Sequence, residues 1–508
     1  MRNELIINVT PTETRIARLE AGTISELIVE RVQDAGFVGN VYKGKIVRVL
    51  PGMQAAFVEI GLERTAFLYV SDIAPEMALE ELMANEEESP ADERPQLKKH
   101  NRQIPQIQDL VKEGQEVVVQ IARDPIGTKG ARLTSHVSLP GRFLVYMPTV
   151  NHTGVSRRIP DEKERSRLKQ LIEKSRPEGS GGFIARTMCE GATQKEISQD
   201  MEYLTKLWKE IESQKSNHSA PALLHRELSI VLRAVRDLFT PDIERIIIDS
   251  KEEMERVKNF IQSFLPHAGH VVEYYEGQEP IFDAFGLEIE VSRALGKKVW
   301  LKSGGYIIIE QTEALAAIDV NTGKFVGKRN LEDTILKTNL EAAKEIAYQL
   351  RLRDLGGIII LDFIDMERHA NREKVYQVLK EELKSDRSKT TITKITELGL
   401  VEMTRKRTRE SLSRLLCETC FYCDGRGYLK SRSTICHEIF RDLRRRMVDF
   451  IGDNILIKVH PSVAEILLDD EHAGLEDWEK RSGKKTSVKS CEDYHLEQFE
   501  ISESGSEA

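Results

Sequence analysis

Two acids, each at the end of a β-rich apolar run, are the residues of this sequence best suited to chemistry. The run 306–318 ends at Asp319, and the run 356–361 ends at Asp362. Both runs predict buried strands that finish in a carboxylate. Two carboxylates at one sheet edge suit Mg²⁺, which takes one or two carboxylates together with phosphate oxygens of a substrate. The alternative is that one aspartate caps a helix and the other is a solvated acid at a strand end.

The segment between the two acids predicts how they come together. It has a helical pattern, with apolar residues at i, i+3 and i+4 spacing: Leu336, Leu340, Ala343, Ile346, Ala347 and Leu350. Strand–helix–strand order usually makes two parallel neighbouring strands. Asp319 and Asp362 should then lie side by side at the carboxyl ends of those strands, where α/β sheets bind ligands.

The cysteines predict a second metal site. Three of the six cysteines stand close together before a glycine turn: Cys417, Cys420 and Cys423. This spacing is typical of a zinc knuckle, and a structural zinc takes four ligands. The fourth must therefore come from Cys436, from His437 or from a second chain. A redox CxxC is the less favoured alternative, because no thioredoxin-like strand precedes it.

The overall composition limits the classes of protein. The 508 residues are enough for about three to five domains. The formal net charge of −9 means that any contact with nucleic acid must come from a local basic groove. No stretch approaches the roughly 20 apolar residues of a membrane span, and residues 1–4 carry an early acid, so we expect neither a membrane segment nor a secretory signal.

The N-terminal half predicts a small barrel inside another domain. Short strands before residue 37 should complete a sheet with the segment 221–292. Closely spaced strands in 38–137 predict an OB-type barrel. Its Phe57, Phe67 and Lys129 suit base stacking and phosphate contact, although aromatics in small barrels are more often core residues. Residues around Glu86 predict a mobile acidic loop.

The segment 138–220 offers a phosphate-binding pair. Arg186 and Thr187 follow a predicted strand, and a guanidinium fork matches phosphate oxygens. The alternative is that the two are ordinary surface residues, as most such pairs are.

The motifs around the acids and cysteines resemble the ribonuclease E/G family of bacterial endoribonucleases. The resemblance rests on D-V-N at 319–321, D-F-I-D at 362–365 and C-F-Y-C-D-G-R-G at 420–427, and it extends over nearly the whole chain. Stretches 320–323 and 403–411 resemble the G branch of the family more than the E branch. The E branch carries a long disordered scaffold after its catalytic half, and from the length of this sequence we expect no such scaffold here.

The family resemblance implies a multidomain α+β fold. A split RNase H-like domain (1–37 and 221–292) receives an OB-fold barrel with an acidic insert (38–137) and a 5′-end sensor (138–220). A DNase I-like α/β catalytic domain (293–412), a zinc link (413–427) and a small α+β domain with an acidic tail (428–508) follow.

The resemblance also implies the activity and its residues. Asp319 and Asp362 would hold the catalytic Mg²⁺, and Asn321 would orient the aspartate and the attacking water. Cleavage of single-stranded RNA would leave a 5′-phosphate and a 3′-hydroxyl, in ribosomal RNA maturation and mRNA decay in the bacterial cytoplasm. The 5′-monophosphate, which stimulates cleavage, would contact Arg186, Thr187, Gly141, Val145 and Arg157. The RNA strand would contact Phe57, Phe67 and Lys129.

The cysteine loop has an implied role in assembly. Cys420 and Cys423 of each chain would share one structural Zn²⁺ across a homodimer. The role of Cys417, the influence of the insert near Glu86 and the pairing of dimers into a larger oligomer stay open.

Three other functions fit parts of the sequence. The chain could be the catalytic half of an E-type enzyme. It could be an RNA-binding scaffold without cleavage, against which the intact Asp319, Asn321 and Asp362 argue. A phosphatase or DNase could use the same acids, but the barrel and Arg186-Thr187 favour RNA.

Overall fold

The computed structural model describes residues 3–32, 36–73, 106–125, 129–156, 159, 161–177, 179–240, 242–264, 271–323, 331–407 and 409–503. The chain divides into two compact units, Met1–Leu412 and Ser413–Ala508. Several sheets with their own helices make up the larger unit, so the predicted multidomain α+β class is confirmed. The predicted acidic loop around Glu86 and the predicted sensor residue Arg157 lie outside the described residues. None of the helices in the described ranges is both long and apolar enough to cross a membrane.

The N-terminal strands pair with strands from much later in the chain. The order in this five-stranded sheet is Val272–Tyr274, Ile243–Ile248, Asn3–Val9, Glu13–Glu20 and Thr23–Arg31. The first three strands are parallel, and the last two continue as antiparallel neighbours. Helices Ile230–Leu238 and Lys251–Phe264 pack on it, and the short helices Ile281–Ala284 and Leu287–Leu295 follow. The expectation that these N-terminal strands complete a sheet with the segment 221–292 is confirmed.

A closed five-stranded barrel follows the first three strands. Its strands are Val41–Leu50, Ala55–Glu59, Ala66–Tyr69, Glu116–Arg123 and Arg132–Thr134, with the short helix Ile107–Leu110. The first strand pairs with both the second and the fourth, and the third pairs in parallel with the fifth, which closes the ring. The predicted OB-like barrel is therefore present. Strand Ala222–His225 also pairs with the first barrel strand, so the chain returns to the barrel after residue 220.

The segment after the barrel forms a four-stranded sheet. The order is Thr153–Val155, Gly182–Ala185, Leu144–Met147 and Leu139–Pro140. Helices Glu162–Ser175 and Gln194–Asn217 pack against it through apolar side chains such as Leu168 and Ile197. A capping box between Thr193 and Glu196 satisfies the backbone donors at the start of the long helix.

A six-stranded sheet ends the larger unit. The order is Lys298–Trp300, Tyr306–Gln311, Leu315–Asn321, Gly357–Asp362, Leu400–Arg405 and Thr390–Ile392. Helices Leu331–Leu352 and His369–Glu382 cover one face, where alternate strand residues such as Ile318 and Leu361 join a buried core. On the opposite face, the alternate residues of the strands are more exposed.

The smaller unit contains a three-stranded sheet. Its central strand Asn454–Val459 pairs in parallel with Lys485–Ser490 and antiparallel with Phe499–Glu503. Helices Arg432–Arg445, Pro461–Leu468 and His472–Ser482 supply the rest of the core, which includes the fully buried Trp478. Helix Leu412–Leu416 spans the boundary between the two units. The predicted α+β character of this segment is confirmed.

Candidate functional site

The two acids at the centre of the sequence prediction are neighbours in the structure. Strand Leu315–Asn321 runs parallel to strand Gly357–Asp362, and Asp319 lies directly opposite Asp362. The helix Leu331–Leu352 joins the two strands, as its apolar spacing predicts. Both carboxylates are exposed. The predicted side-by-side arrangement of the acids is therefore confirmed.

The run that leads to Asp319 differs from the prediction of one strand. Residues 306–318 form a hairpin, in which strand Tyr306–Gln311 turns back into strand Leu315–Asn321. The Thr312 hydroxyl accepts a hydrogen bond from the Leu315 amide at 3.1 Å and donates to the Leu315 carbonyl at 2.9 Å. The turn contains no glycine, proline or asparagine, so the usual turn signals are missing. Because of the hairpin, Tyr306 lies opposite Asn321, beside the acids.

Asn321 holds the first acid in place. Its Nδ2 donates to Asp319 Oδ2 at 2.6 Å. Asn321 and Asp319 are two residues apart on one strand, so their side chains project from the same face. The amide therefore fixes the orientation of the carboxylate and leaves the other carboxylate oxygen available to a ligand.

A buried asparagine holds the loop that follows the second acid. Asn339 is fully buried in the helix between the two strands. Its Nδ2 donates to the Ile364 carbonyl at 2.8 Å, and the Ile364 amide donates to Asn339 Oδ1 at 3.1 Å. This reciprocal pair fixes the backbone between Asp362 and Asp365.

The electrostatics of the acid pair favour a cation. Burial raises the pKa of Asp362, and the negative charges of Asp319 and Asp365 raise it further. Like charges at this separation disfavour one another's ionised form, and a divalent cation offsets that repulsion. Across the described ranges, no group of three or more histidine, cysteine, aspartate or glutamate side chains is arranged to hold a metal. Two carboxylates fit Mg²⁺, which keeps several waters, better than a metal that needs a full protein cage.

Four of the five predicted sensor residues are described, and Arg186 is their centre. It follows strand Gly182–Ala185, and Thr187 begins a short 3₁₀ turn directly after it. Arg186 Nη1 donates to the Gly141 carbonyl at 2.5 Å. Val145 pairs with Ile184 on the neighbouring strand. The structure thus brings Arg186, Thr187 and Gly141 together, with Val145 one strand away.

The loop at Gly141 is held by a buried acid. Asp200 accepts hydrogen bonds from the backbone amides of Arg142, Phe143 and Leu144 at 2.8–3.2 Å. A Cβ on residue 141 would come within 2.5 Å of Asp200 Oδ2, so this position has room for glycine only. The loop that presents its carbonyl to Arg186 is therefore rigidly defined.

Arg186 also has an acidic partner that sequence reasoning does not identify. Its Nη2 donates to Asp237 Oδ1 at 2.7 Å, and Arg236 binds the same carboxylate. Burial alone would raise the pKa of Asp237, but the hydrogen bond from Arg236 and the charge of Arg186 lower it below its usual value. The carboxylate is thus a stable counter-ion that orients the guanidinium.

The barrel aromatics divide into a surface pair and a core residue. Phe57 and Phe67 are directly paired across two strands, with ring centroids 4.8 Å apart. Both are only half-buried and stand outside the barrel core, whereas Tyr42 is buried in it. Lys129 is exposed, and the next residue, Gly130, closely approaches the Thr65 carbonyl near the start of the Phe67 strand. The pair and the lysine suit a single-stranded nucleic acid.

The cysteine loop has the geometry of a thiolate site. Hydrogen bonds from the backbone amides of Cys423 and Tyr422 lower the pKa of Cys420. The Gly427 amide donates to Cys423 Sγ at 3.3 Å. Cys417 and Cys420 are exposed, and Cys423 is partly exposed. This loop can therefore present thiolates outward to a soft metal such as zinc.

Cys436 and His437, the residues that could complete a zinc site within one chain, make other contacts. Cys436 is buried in the core of the smaller unit, and this burial raises its pKa to about 11. His437 Nε2 lies 3.5 Å from a carboxylate oxygen of Glu471. Within the described residues, neither side chain belongs to a metal-binding group with the cysteine loop.

Comparison with protein families identifies the chain. The model of the Ribonuclease E/G family matches residues 138–408, which contain Arg186, Asp319 and Asp362. The chain belongs to the ribonuclease E/G family. A second model of the same family, described as "RNase E/G, Thioredoxin-like domain", matches residues 419–504.

Curated relatives place the chain within this family. Ribonuclease G of Haemophilus influenzae is 47% identical over 499 residues, which cover 98% of this chain and 99% of that protein. Ribonuclease G of Escherichia coli K12 is 45% identical over 501 residues, with 99% of each chain covered. Ribonuclease E of a Nostoc species is 39% identical over 395 residues, which are 77% of this chain but 54% of that protein. The likeness to the two ribonuclease G proteins extends over 98–99% of each chain.

Several residues at the sites of this ribonuclease E/G family member are not found by sequence reasoning. They are Asp237, Asp200 and Asn339, and the effect of the Asp365 charge on the pKa of Asp362 is also missed. Asp365 stands in the D-F-I-D motif and has a local signal. Asp237, Asp200 and Asn339 act through contacts with residues distant in the sequence, for which one sequence offers no indication.

Proposed function

We propose that this chain is a Mg²⁺-dependent endoribonuclease of the G type that cuts single-stranded RNA and leaves 5′-phosphate and 3′-hydroxyl ends. The observation that carries the proposal is the direct pairing of Asp319 with Asp362, with Asn321 bound to Asp319. The likeness to ribonuclease G over the whole chain supports RNA as the substrate.

The paired acids would hold the metal, and the neighbouring residues would hold the acids. When bound, Mg²⁺ supplies a Lewis acid for the phosphoryl oxygen and lowers the pKa of water. Asn321 keeps one Asp319 oxygen engaged and the other available. Asn339 keeps the loop after Asp362 in place. Attack of water on phosphorus then breaks the bond to the 3′-oxygen, and most of the catalytic effect comes from positioning and charge stabilisation.

Arg186 and Thr187 would bind the 5′-monophosphate of the substrate. Arg186 has five N–H donors, and the structure engages it through Nη1 with Gly141 and through Nη2 with Asp237. The guanidinium is therefore oriented before a phosphate arrives. Gly141 and Val145 shape the pocket, and we assign Arg157 to it from the family resemblance.

The barrel would hold part of the RNA strand. The half-exposed rings of Phe57 and Phe67 can stack on bases, and Lys129 can contact the phosphate backbone. This use of the barrel agrees with the general binding mode of OB folds.

The cysteine loop would link two chains. Cys420 and Cys423 supply two thiolates, and an identical loop from a second chain would complete four ligands around one Zn²⁺. The positions of Cys436 and His437 support sharing over local closure.

We assign the enzyme to ribosomal RNA maturation and mRNA decay in the bacterial cytoplasm. The assignment follows the family resemblance, and the related ribonuclease G proteins are bacterial. The names RNase H-like, DNase I-like and zinc link belong to the same proposal, as do the seven residue ranges given for the domains in the sequence analysis.

Product mapping tests the proposed function. The chain is incubated with a 5′-monophosphorylated single-stranded RNA, with Mg²⁺ or with EDTA, and both product ends are identified. We expect internal cuts with 5′-phosphate and 3′-hydroxyl ends in the Mg²⁺ sample alone. Binding without any cut would support an RNA-binding scaffold, and equal cutting of DNA would support a general nuclease.

A further inference from the structure

A cluster of two aromatic rings and one lysine lies at the edge of the six-stranded sheet. Trp300 is 64% exposed, which is unusual for such a large apolar side chain. Its ring meets that of Tyr306 edge-on, with centroids 5.4 Å apart. Lys298 Nζ lies 4.0 Å from the Trp300 centroid and 3.6 Å from the Tyr306 centroid. The three side chains form one surface, which we call the edge cluster.

The strand register places the edge cluster on the same face as the catalytic acids. Trp300 pairs with Tyr306, and Tyr306 pairs with Asn321. Two residues further along these strands, Lys298 pairs with Ile308, and Ile308 pairs with Asp319. Asp319 in turn pairs with Asp362. Paired residues on neighbouring strands project from one face, and strands lie about 4.8 Å apart. Tyr306 is therefore next to Asn321, and Trp300 is roughly 10 Å from it.

That face is the one left open by the two helices. Residues that alternate with the cluster and the acids, such as Ile307 and Ile318, are buried under the helices. Lys298, Trp300, Asp319 and Asp362 are all exposed. A strand of RNA whose scissile phosphate lies at the acids would therefore meet the exposed side chains of the edge cluster on the same face.

We propose that Trp300 and Tyr306 form a stacking platform for a base within a few nucleotides of the scissile phosphate. The proposal rests on the proposed function, since it takes the acids as the place of cleavage. It adds a base-binding position on the catalytic sheet itself, apart from the barrel pair Phe57–Phe67.

The chemistry of the edge cluster fits single-stranded RNA. A base has a flat π-face that stacks on an aromatic ring, and the stacking is tolerant of sequence. Lys298 can cover only one face of the indole, which leaves the other for a base. Its positive charge also draws the phosphate backbone toward the edge of a site that is otherwise acidic. A second copy of the chain would gain little binding energy from Lys298, because the exposed acids lie beside this lysine. RNA is therefore the favoured binding partner of the edge cluster.

Equilibrium binding tests the platform. In an Asp319→Asn background, for which we expect RNA binding without cutting, we measure the Kd for a 5′-monophosphorylated single-stranded RNA. Trp300→Ala should raise the Kd by about 5- to 150-fold, because a stacked base contributes on that scale. Trp300→Phe should keep most of the affinity. Ile358→Ala is the matched control, since it removes an exposed apolar side chain from the other end of the same sheet face.

A coupling measurement separates stacking from general damage. We prepare a series of RNAs, each with one abasic nucleotide at a different position around the cut. The Kd of each RNA is measured for the Asp319→Asn protein with Trp300 and for the same protein with Trp300→Ala. One position should lose affinity with Trp300 present and show no further loss with Trp300→Ala. Equal losses at every abasic position, an unchanged Kd, or conversion of the variant to monomer in sedimentation would overturn the platform. An unaltered chain that cuts no RNA would instead overturn the proposed function from which the platform follows.

Discussion

At the scale of single residues, the candidate sites depend on polar side chains that hold one another before any ligand binds. Asn321 orients Asp319, and Asp237 orients Arg186. Each pair has one member that touches the ligand in the proposed mechanism and one that positions it. Positioning partners of this kind typically change activity or affinity by 10- to 100-fold when removed from metal sites.

Arg186 should discriminate RNAs by their 5′ ends. Arg186→Ala removes the guanidinium fork, so cleavage of 5′-monophosphorylated RNA should slow to the rate for 5′-hydroxyl RNA, which itself should change little. The rates for both RNAs are compared in the variant and in Arg176→Ala, a control arginine that binds Asn151 and Ser180 instead. Equal slowing of both RNAs would show that Arg186 serves the fold or the general binding surface.

The pair of Asp237 and Arg186 should also contribute to stability in a pH-dependent way. The pKa of Asp237 is lowered in the folded chain. A lowered carboxylate pKa contributes stability that is fully present above the unfolded value of about 4 and is lost as the pH falls through the folded value. The Tm of the unaltered chain should therefore exceed that of Asp237→Asn at pH 7, and the difference should shrink toward pH 3. A difference that grows on acidification would contradict this.

At the scale of elements, the sequence predicts what local patterns and short connections determine. The apolar spacing in 331–352 and the acids at two strand ends are enough to place Asp319 beside Asp362, because strand–helix–strand order makes parallel neighbours. The hairpin of strands Tyr306–Gln311 and Leu315–Asn321 is missed because a threonine hydroxyl closes its turn in place of glycine or asparagine. The missed turn hides the alignment of Trp300 and Tyr306 with the acids.

The contact between the long helix and the loop at Ile364 should be needed for activity. Asn339→Leu leaves the partly buried Ile364 amide and carbonyl without these partners, and a lost partner of this kind typically costs about 1–3 kcal/mol where the group is buried. The loop after Asp362 should then shift, and cleavage should fall with little change in RNA affinity. Asn339→Asp can still accept a hydrogen bond from the Ile364 amide, so its cleavage rate should lie between those of the unaltered chain and of Asn339→Leu. Lys344→Ala, which changes an exposed residue of the same helix, is the control. Full activity of Asn339→Leu would show that the loop keeps its position without the Asn339 contacts.

At the scale of the whole molecule, long-range pairing is what one sequence hides. Strand Ala222–His225 adds to the barrel, although the sequence places it in another domain. The contact of Arg186 with Asp237 crosses between predicted domains in the same way. Neither partner carries a local pattern that points to the other, whereas the N-terminal strands are recognised as incomplete because three short strands make a poor core.

Zinc content should report how chains assemble. Two thiolates per chain predict about half a zinc per chain in the purified protein, and Cys420→Ser with Cys423→Ser should release the metal and shift the protein toward monomer. Metal analysis and sedimentation are run beside Cys491→Ser, a control cysteine outside the loop. One zinc per chain would refute sharing. A double variant that loses zinc and stays dimeric would show that the loop does not hold the dimer together.

The most direct test of the account measures Mg²⁺-dependent cleavage in chains that differ by one carboxylate. Asp319→Asn and Asp362→Asn keep the side-chain shape and remove the charge that holds the cation, so each should slow cleavage by about 1,000-fold or more while RNA affinity and Tm change little. Glu402→Gln, which removes an exposed acid from strand Leu400–Arg405 next to that of Asp362, should cleave normally. Near-normal turnover by either aspartate variant at ordinary Mg²⁺ would contradict the assignment of the active site.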